Sequence, residues 1–206
     1  MNQRERILEA TNELFFQYGV KSFTMDDLAK ELGISKKTIY EVFENKNELV
    51  KEVMNINVQF GMLAMEAAVE NAIDAMDAML KVMNVSQSIL TRVNPKFIHE
   101  IQKYYPKAWM LYKEFRDSFA YNIVHDNLER GITEGLYRED IDVNLLTYYR
   151  LEDIDLIFNP KNFPSSKFNI ASTYLEISKC FILGISTMKG HKLFDSYKNQ
   201  FEEATL

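Results

Sequence analysis

Lys36, Lys37, Thr38 and Tyr40 lie within five consecutive residues, and the type and order of these side chains suit one kind of chemistry. Two ammonium groups, a short hydroxyl and a phenol on one outer face are the donors that hold phosphate oxygens and reach base edges in a duplex groove. Catalysis has far less to stand on. The chain carries no nucleophile motif and no phosphate-cradling glycine loop, and Arg92, His99, Glu114 and Arg116 are its only candidate titratable pocket groups. His125 and Glu129 lie four apart on a helical stretch, but two ligands make no closed metal site, so no metal and no cofactor are expected.

A donor face needs rigid support, and the local punctuation supplies it. Thr24 with Asp27 three residues on is a capping pair that starts a helix. Leu28, Ala29 and Leu32 give that helix its apolar stripe, and Gly33 tolerates the left-handed conformation that ends it. Ser35 is a second N-cap, opening a helix from Lys36 to about Phe43 that turns Ile39, Val42 and Phe43 inward. Asn45 with Glu48 is a third capping pair, which sets Lys46 at the start of the next helix. The pattern is a helix-turn-helix. Residues 4–18 form a buttress, with Ile7, Thr11, Leu14 and Tyr18 on one stripe, Leu8 and Phe15 beside it, and Gly19 at its end.

These features resemble the tetracycline-repressor (TetR, AcrR-like) family of bacterial one-component regulators. The resemblance rests on Arg6 to Ala10, Leu14, Phe15, Gly19, Phe23, Thr24, Leu28, Ala29, Gly33 to Ser35, Thr38 to Tyr40, Phe43 and Lys46 to Leu49, about the first quarter of the chain. It implies an all-α protein, with a helix-turn-helix DNA-binding domain at 1–47 and a helical ligand-binding and dimerisation domain at 48–206. It also implies operator contacts at Thr24, Lys36, Thr38, Tyr40 and Lys46, with Tyr40 and Lys46 on phosphates and Lys36 to Thr38 nearest the bases. Ser35 belongs to the same face. Lys37 departs from the family's commoner small residue and adds a long cation there.

Composition sets the limits. The chain has 206 residues, 47% of them hydrophobic and 26% charged, as in a globular protein that buries a core. No run of eighteen apolar residues occurs, and the first residues lack the apolar stretch of a signal peptide, which together predict a cytoplasmic protein with no membrane partner. Cys180, the only cysteine, falls in an apolar helical stretch and is expected as a small buried hydrophobe. The net charge is −6, and residues 1–50 carry seven Lys or Arg against nine Asp or Glu. No broad basic field draws the chain to DNA, so attraction must come from where Lys36, Lys37 and Lys46 are placed.

Helical periodicity continues through residues 45–71, 73–93, 96–104, 106–129, 143–158 and 169–188, with a short amphipathic segment at 193–201 and no strand. The first of these helices belongs to both proposed domains and is the natural lever between them. The stretch 169–188 is apolar on more than one face, with Ile170, Tyr174, Ile177, Phe181, Gly184 and Met188 on one stripe. By the resemblance, that stripe and Tyr149 face an identical subunit. A two-fold homodimer would hold two reading helices about 34 Å apart on one face of a palindromic double-stranded operator.

The middle helices are rich in Met and aromatic residues. Met62, Met76, Met79, Met83, Phe97, Tyr104, Trp109, Tyr112, Phe115 and Phe119 are the candidate lining of a largely apolar effector pocket, as in the family. The expected function is a ligand-released repressor rather than an enzyme. Two other functions fit the same residues: a DNA-binding protein that answers to no small molecule, and an all-helical enzyme or carrier for hydrophobic molecules.

Overall fold

A computed structural model of the chain describes residues 2–203, with side chains described over 2–197. Within that span the regular secondary structure is helical, apart from one isolated antiparallel bridge between Tyr137 and Ser186. The helices are α1 (Gln3–Tyr18), α2 (Met25–Leu32), α3 (Lys36–Tyr40), α4 (Lys46–Glu70), α5 (Ala75–Arg92), α6 (Pro95–Tyr104) and α7 (Pro106–Glu114). A π-helical segment (Phe115–Ala120) leads to α8 (Tyr121–Thr133), α9 (Val143–Ile157), α10 (Ile170–Ile185) and α11 (Met188–Glu203).

Two compact units form. The first comprises residues up to Phe60 together with Arg92–Phe115, and the second Gly61–Thr91 with the remainder of the chain. The expected domain division at 47/48 therefore falls inside α4. In the first unit, Ile7, Leu8 and Phe15 of α1 are buried, as are Leu28, Ile39, Phe43, Leu49 and Val53. Removing a Phe-sized side chain from water contributes on the order of 2–3 kcal/mol, so Phe15 and Phe43 are its chief anchors. Tyr18, expected on the inward stripe of α1, is instead 46% exposed. Asn94 joins α6 to α1, its backbone N–H donating to the Phe16 carbonyl at 2.8 Å and its side chain to the Gln17 carbonyl at 2.9 Å. Phe97 then meets Phe16 edge to face at 5.0 Å.

The second unit has its own core, in which Met76, Met79 and Met83 of α5 pack with Val124 and Leu128 of α8 and Tyr174, Phe181 and Ile182 of α10. Tyr137 is fully buried there and donates to Asn127 and to the Ala75 carbonyl. Of the long expected helices, one runs on without a gap and one is divided. Residues 106–129 stay helical through the π segment, where Arg116 pairs with Asp117, Glu152 and Asp155. Residues 169–188 break after Ile185, because Arg138 N–H bonds the Ile185 carbonyl and Thr187 N–H bonds the Leu136 carbonyl. The closing helix accordingly begins at Met188, five residues before the expected segment; the side chain of Phe201 lies outside the described residues.

Candidate nucleic-acid interface

Every turn of the head is closed by the residues that predict it. The Asp27 backbone N–H donates to Thr24 Oγ1 at 3.2 Å, and the Thr24 backbone N–H returns a bond to Asp27 Oδ2 at 2.9 Å. The Thr24 hydrogen bonds hold the Asp27 carboxyl below its usual range. Gly33 adopts φ +62° and ψ +33°, and Ile34 N–H bonds the Ala29 carbonyl at 3.0 Å, so α2 ends in a left-handed cap. The Thr38 backbone N–H donates to Ser35 Oγ at 3.0 Å, starting α3. Glu48 N–H donates to Asn45 Oδ1 at 3.0 Å, starting α4.

The helix at Lys36 is shorter than expected, ending at Tyr40 rather than near Phe43. The Ile39 carbonyl accepts from both Val42 N–H (3.1 Å) and Phe43 N–H (2.9 Å), a tightened turn that drops Phe43 into the core. Ile39 is fully buried while Tyr40 stays 44% exposed, so the short helix keeps its outer face clear.

On that face the donors are held differently. Lys36 Nζ pairs with Asp26 at 2.9 Å and lies 5.9 Å from the Tyr40 ring centroid; its hydrogen bond to Asp26 raises its pKa. Lys37 reaches outward with only a 3.9 Å approach to Glu41. Ser35 Oγ and Thr38 Oγ1 stand 2.7 Å apart and share one hydrogen between them. Lys46, expected on a phosphate, is half-buried and turned inward. Its ammonium donates to the carbonyls of Val20, at 2.7 Å, and Phe23, and lies 5.9 Å from the Phe15 ring centroid. Desolvation lowers its pKa. Thr24, Ser35, Lys36, Lys37, Thr38 and Tyr40 thus share one small region of the first unit. Sequence reasoning missed Arg6, which donates to the Leu32 carbonyl at 3.1 Å and ties α1 to the end of α2.

The candidate effector residues divide between the units: Phe97, Tyr104, Trp109, Tyr112 and Phe115 in the first, Met62, Met76, Met79, Met83 and Phe119 in the second. Phe97, Met76, Met79 and Met83 are core residues, and Trp109 stacks on Tyr112 at 4.7 Å. In the second unit, Met79 joins Val69, Val82, Ile123 and Val124 around a small, mainly apolar cleft of about 120 Å³. Tyr104 is exposed between two lysines.

Of the candidate partner-facing residues, Tyr174 and Phe181 are buried in the chain's own core, where both rings pack against the buried Arg150 guanidinium. Met188 belongs to α11, so the single six-residue stripe does not form. Tyr149 is 56% exposed and, with Ile177, Cys180, Phe181 and Gly184, lines an open trough of about 520 Å³ on the α9–α10 face. Cys180 is exposed there rather than buried, because this second face of α10 is uncovered by its own chain. His125 lies 3.5 Å from Asp126 and 4.0 Å from Glu129, with both carboxylates exposed. Among the described residues no helix is long and apolar enough to cross a membrane.

The chain is similar to known proteins in sequence and in fold. Residues 7–53 match the model of bacterial regulatory proteins of the tetR family. The HTH-type transcriptional regulator YvaF of Bacillus subtilis is 32% identical over 117 residues, 54% of this chain and 58% of that relative, so the chain spans little more than half of YvaF. The HTH-type transcriptional repressor KstR2 of Mycolicibacterium smegmatis is 21% identical over 198 residues, 93% of this chain and 94% of that protein. A transcriptional regulator of Saccharomonospora viridis, solved in complex with choline, superposes with a TM-score of 0.74 at 21% identity, covering 89% of this chain and 97% of the other.

Proposed function

We propose, from the premise that the chain belongs to the TetR family of bacterial regulatory proteins, that it is a DNA-binding transcriptional regulator, a homodimeric repressor released from a palindromic operator by a hydrophobic or aromatic small molecule. The observation that carries the DNA-binding part is the closed geometry from Thr24 to Tyr40. Two side-chain caps and a left-handed Gly33 hold a five-residue helix whose apolar side is locked in the core and whose Lys, Thr and Tyr side faces out.

In this reading residues 1–47 read DNA, and 48–206 bind the effector and the partner subunit. Lys36, Lys37 and Thr38 lie nearest the base edges; Thr24, Ser35 and Tyr40 hold phosphates. Lys46 fixes the loop before α2 and keeps one of its three ammonium hydrogens for a phosphate oxygen. The α9–α10 face, with Tyr149, Ile177 and Gly184, meets its symmetry mate. Effector and operator act through a population shift, and a ligand that weakens operator binding about 150-fold needs roughly 3 kcal/mol of differential affinity between the two states.

The test uses duplex fragments flanking the protein's own coding sequence, with footprinting and fluorescence anisotropy. Protection of a palindrome is expected. Tyr40→Phe weakens binding to all sequences, while Lys37→Ala alters sequence preference; if neither variant changes binding, the assigned face is wrong.

One observation favours a second reading, a DNA-binding protein that answers to no effector. Met76 is fully buried and Met83 nearly so, and the cleft that Met79 lines holds only about 120 Å³, small for a drug-sized molecule. Choline is held by the similar Saccharomonospora regulator, which supports the effector reading. Thermal-shift screening with apolar and aromatic small molecules separates the two, since an effector that raises the melting temperature must also release the operator.

A further inference from the structure

Residues 1–50 are net acidic, yet the compact unit to which they belong is not. Joined by residues 51–60 and 92–115, that unit carries thirteen Lys and Arg against twelve Asp and Glu, a balance of +1, whereas the second unit stands at −7. The reversal comes from Arg92, the last residue of α5, together with α6 and α7. Arg92, Lys96, Lys103, Lys107 and Lys113 face only Glu100 and Glu114 in sequence count.

Part of that charge converges on one spot. Lys21 Nζ lies 4.2 Å and Lys103 Nζ 5.3 Å from the Tyr104 ring centroid, and the two ammonium groups, Lys103 foremost, lower the phenol's pKa. Tyr104 also lines a cleft of about 420 Å³ with Lys107, Lys51, Asn47 and the start of α4. Lys21 belongs to the loop whose Val20 and Phe23 carbonyls hold Lys46, and that loop runs directly into the Thr24 cap. The ledge is therefore continuous with the head. Lys36 and Lys37 of the reading face pair with carboxylates, as do Arg4 and Arg92 elsewhere in the first unit, but among the described residues Lys21, Lys51, Lys103 and Lys107 make no ion pair within 4 Å. The acids nearest the ledge are Glu100, which accepts from the Lys21 backbone N–H at 2.8 Å, and Glu44 and Glu48, which both line the cleft wall, Glu48 accepting from the Glu44 backbone N–H.

We propose that Lys21, Lys103, Lys107 and Tyr104 form a second phosphate-binding ledge that grips the backbone of duplex DNA outside the groove read by α3. This deepens the DNA-binding reading and rests on it. Three unpaired ammonium groups beside a phenolic donor match a run of phosphates, and such contacts carry no sequence information. The ledge therefore adds affinity and salt dependence equally on every duplex.

The experiment needs no operator. Anisotropy of the full-length protein is measured on a labelled 40-base-pair duplex of arbitrary sequence across a salt series. Wild type is compared with Lys21→Gln/Lys103→Gln/Lys107→Gln and with Lys37→Ala, and circular dichroism melts check that each variant folds. Each lost phosphate contact flattens the slope of log K against log salt by about 0.9, so the triple variant should lose two to three contacts' worth of slope per subunit and bind at least about tenfold more weakly. Tyr104→Phe should weaken binding without changing the slope. If wild type binds and Lys37→Ala weakens it while the triple variant keeps the wild-type slope, the ledge is overturned and the DNA-binding reading survives. If wild type binds no duplex at any salt concentration, both fall.

Discussion

The Lys46 ammonium donates to the Val20 carbonyl at 2.7 Å, tying the first residue of α4 to the loop that leads into α2. A charge-assisted bond of this kind, half-buried and doubled by the Phe23 carbonyl, makes Lys46 a positioning residue for the Thr24 cap. Lys46→Met keeps the stem but removes both bonds and leaves two carbonyls without that donor. It should cost about 2–3 kcal/mol and speed amide exchange of residues 20–24. A melting curve matching wild type would mean that the inward bonds add nothing.

Two glycines should respond to substitution for opposite reasons. Gly33 has open space around it but φ +62°, so Gly33→Ala meets only backbone strain, about 1 kcal/mol. Gly33→Asn should cost less. Gly131 has an ordinary helical backbone, yet a Cβ there would lie 2.0 Å from the Tyr137 ring, which is fully buried and bonded to Asn127. Gly131→Ala should therefore cost more than Gly33→Ala, about 3 kcal/mol or above. Urea titrations of both variants rank the two effects, and equal costs would contradict the close approach at Tyr137.

How far such features could be read from residues alone depends on how local their causes are. The caps at Thr24, Ser35 and Asn45 and the turn at Gly33 depend on neighbours three or four residues away, so side-chain type and spacing specify them. The π segment does not, because Arg116 is held by Glu152 and Asp155 from a helix about forty residues further on. Nor does the end of α10, where an apolar run long enough to continue is cut by bonds from Arg138 N–H and to the Leu136 carbonyl. The inward turn of Lys46 was equally hidden, since a lysine at a helix start suits a phosphate and a carbonyl alike. The membership of α6 in the head rests on Asn94 reaching back to α1, a pairing that periodicity does not encode.

Asp153 makes stability depend on pH. Burial pushes its carboxyl up to about 6, and the Arg150 guanidinium, 2.9 Å away, only partly offsets this. Its Oδ2 has no hydrogen-bond partner. The folded chain thus holds this proton to higher pH than the unfolded chain, whose carboxyl titrates near 3.8. The stabilisation is complete below about pH 4 and is lost as pH rises through about 6. Asp153→Asn removes the titration, so its melting temperature should gain on wild type between pH 4 and 7. A difference constant across that range would show that Asp153 does not titrate there. Arg150→Met leaves the carboxylate buried without its cation and should cost about 3–5 kcal/mol at neutral pH.

The α9–α10 trough makes self-association measurable through Cys180. Leu145 and Tyr149 are more than half exposed on α9, and Gly184 has nothing within 4 Å of where its Cβ would stand. An added side chain there meets no resistance from its own chain, so Gly184→Glu should change the unfolding free energy of the monomer by no more than about 0.5 kcal/mol. A carboxylate facing its own symmetry copy is a different matter, since burying two like charges across a two-fold axis opposes closure. The variant should sediment as a monomer at micromolar concentration while wild type sediments as a dimer. The exposed Cys180 lines the same trough. Its reaction with a thiol reagent should therefore be slow in wild type, quicken on dilution, and be fast at every concentration in Gly184→Glu. Equal labelling rates in the two proteins would place the dimer contact on another face.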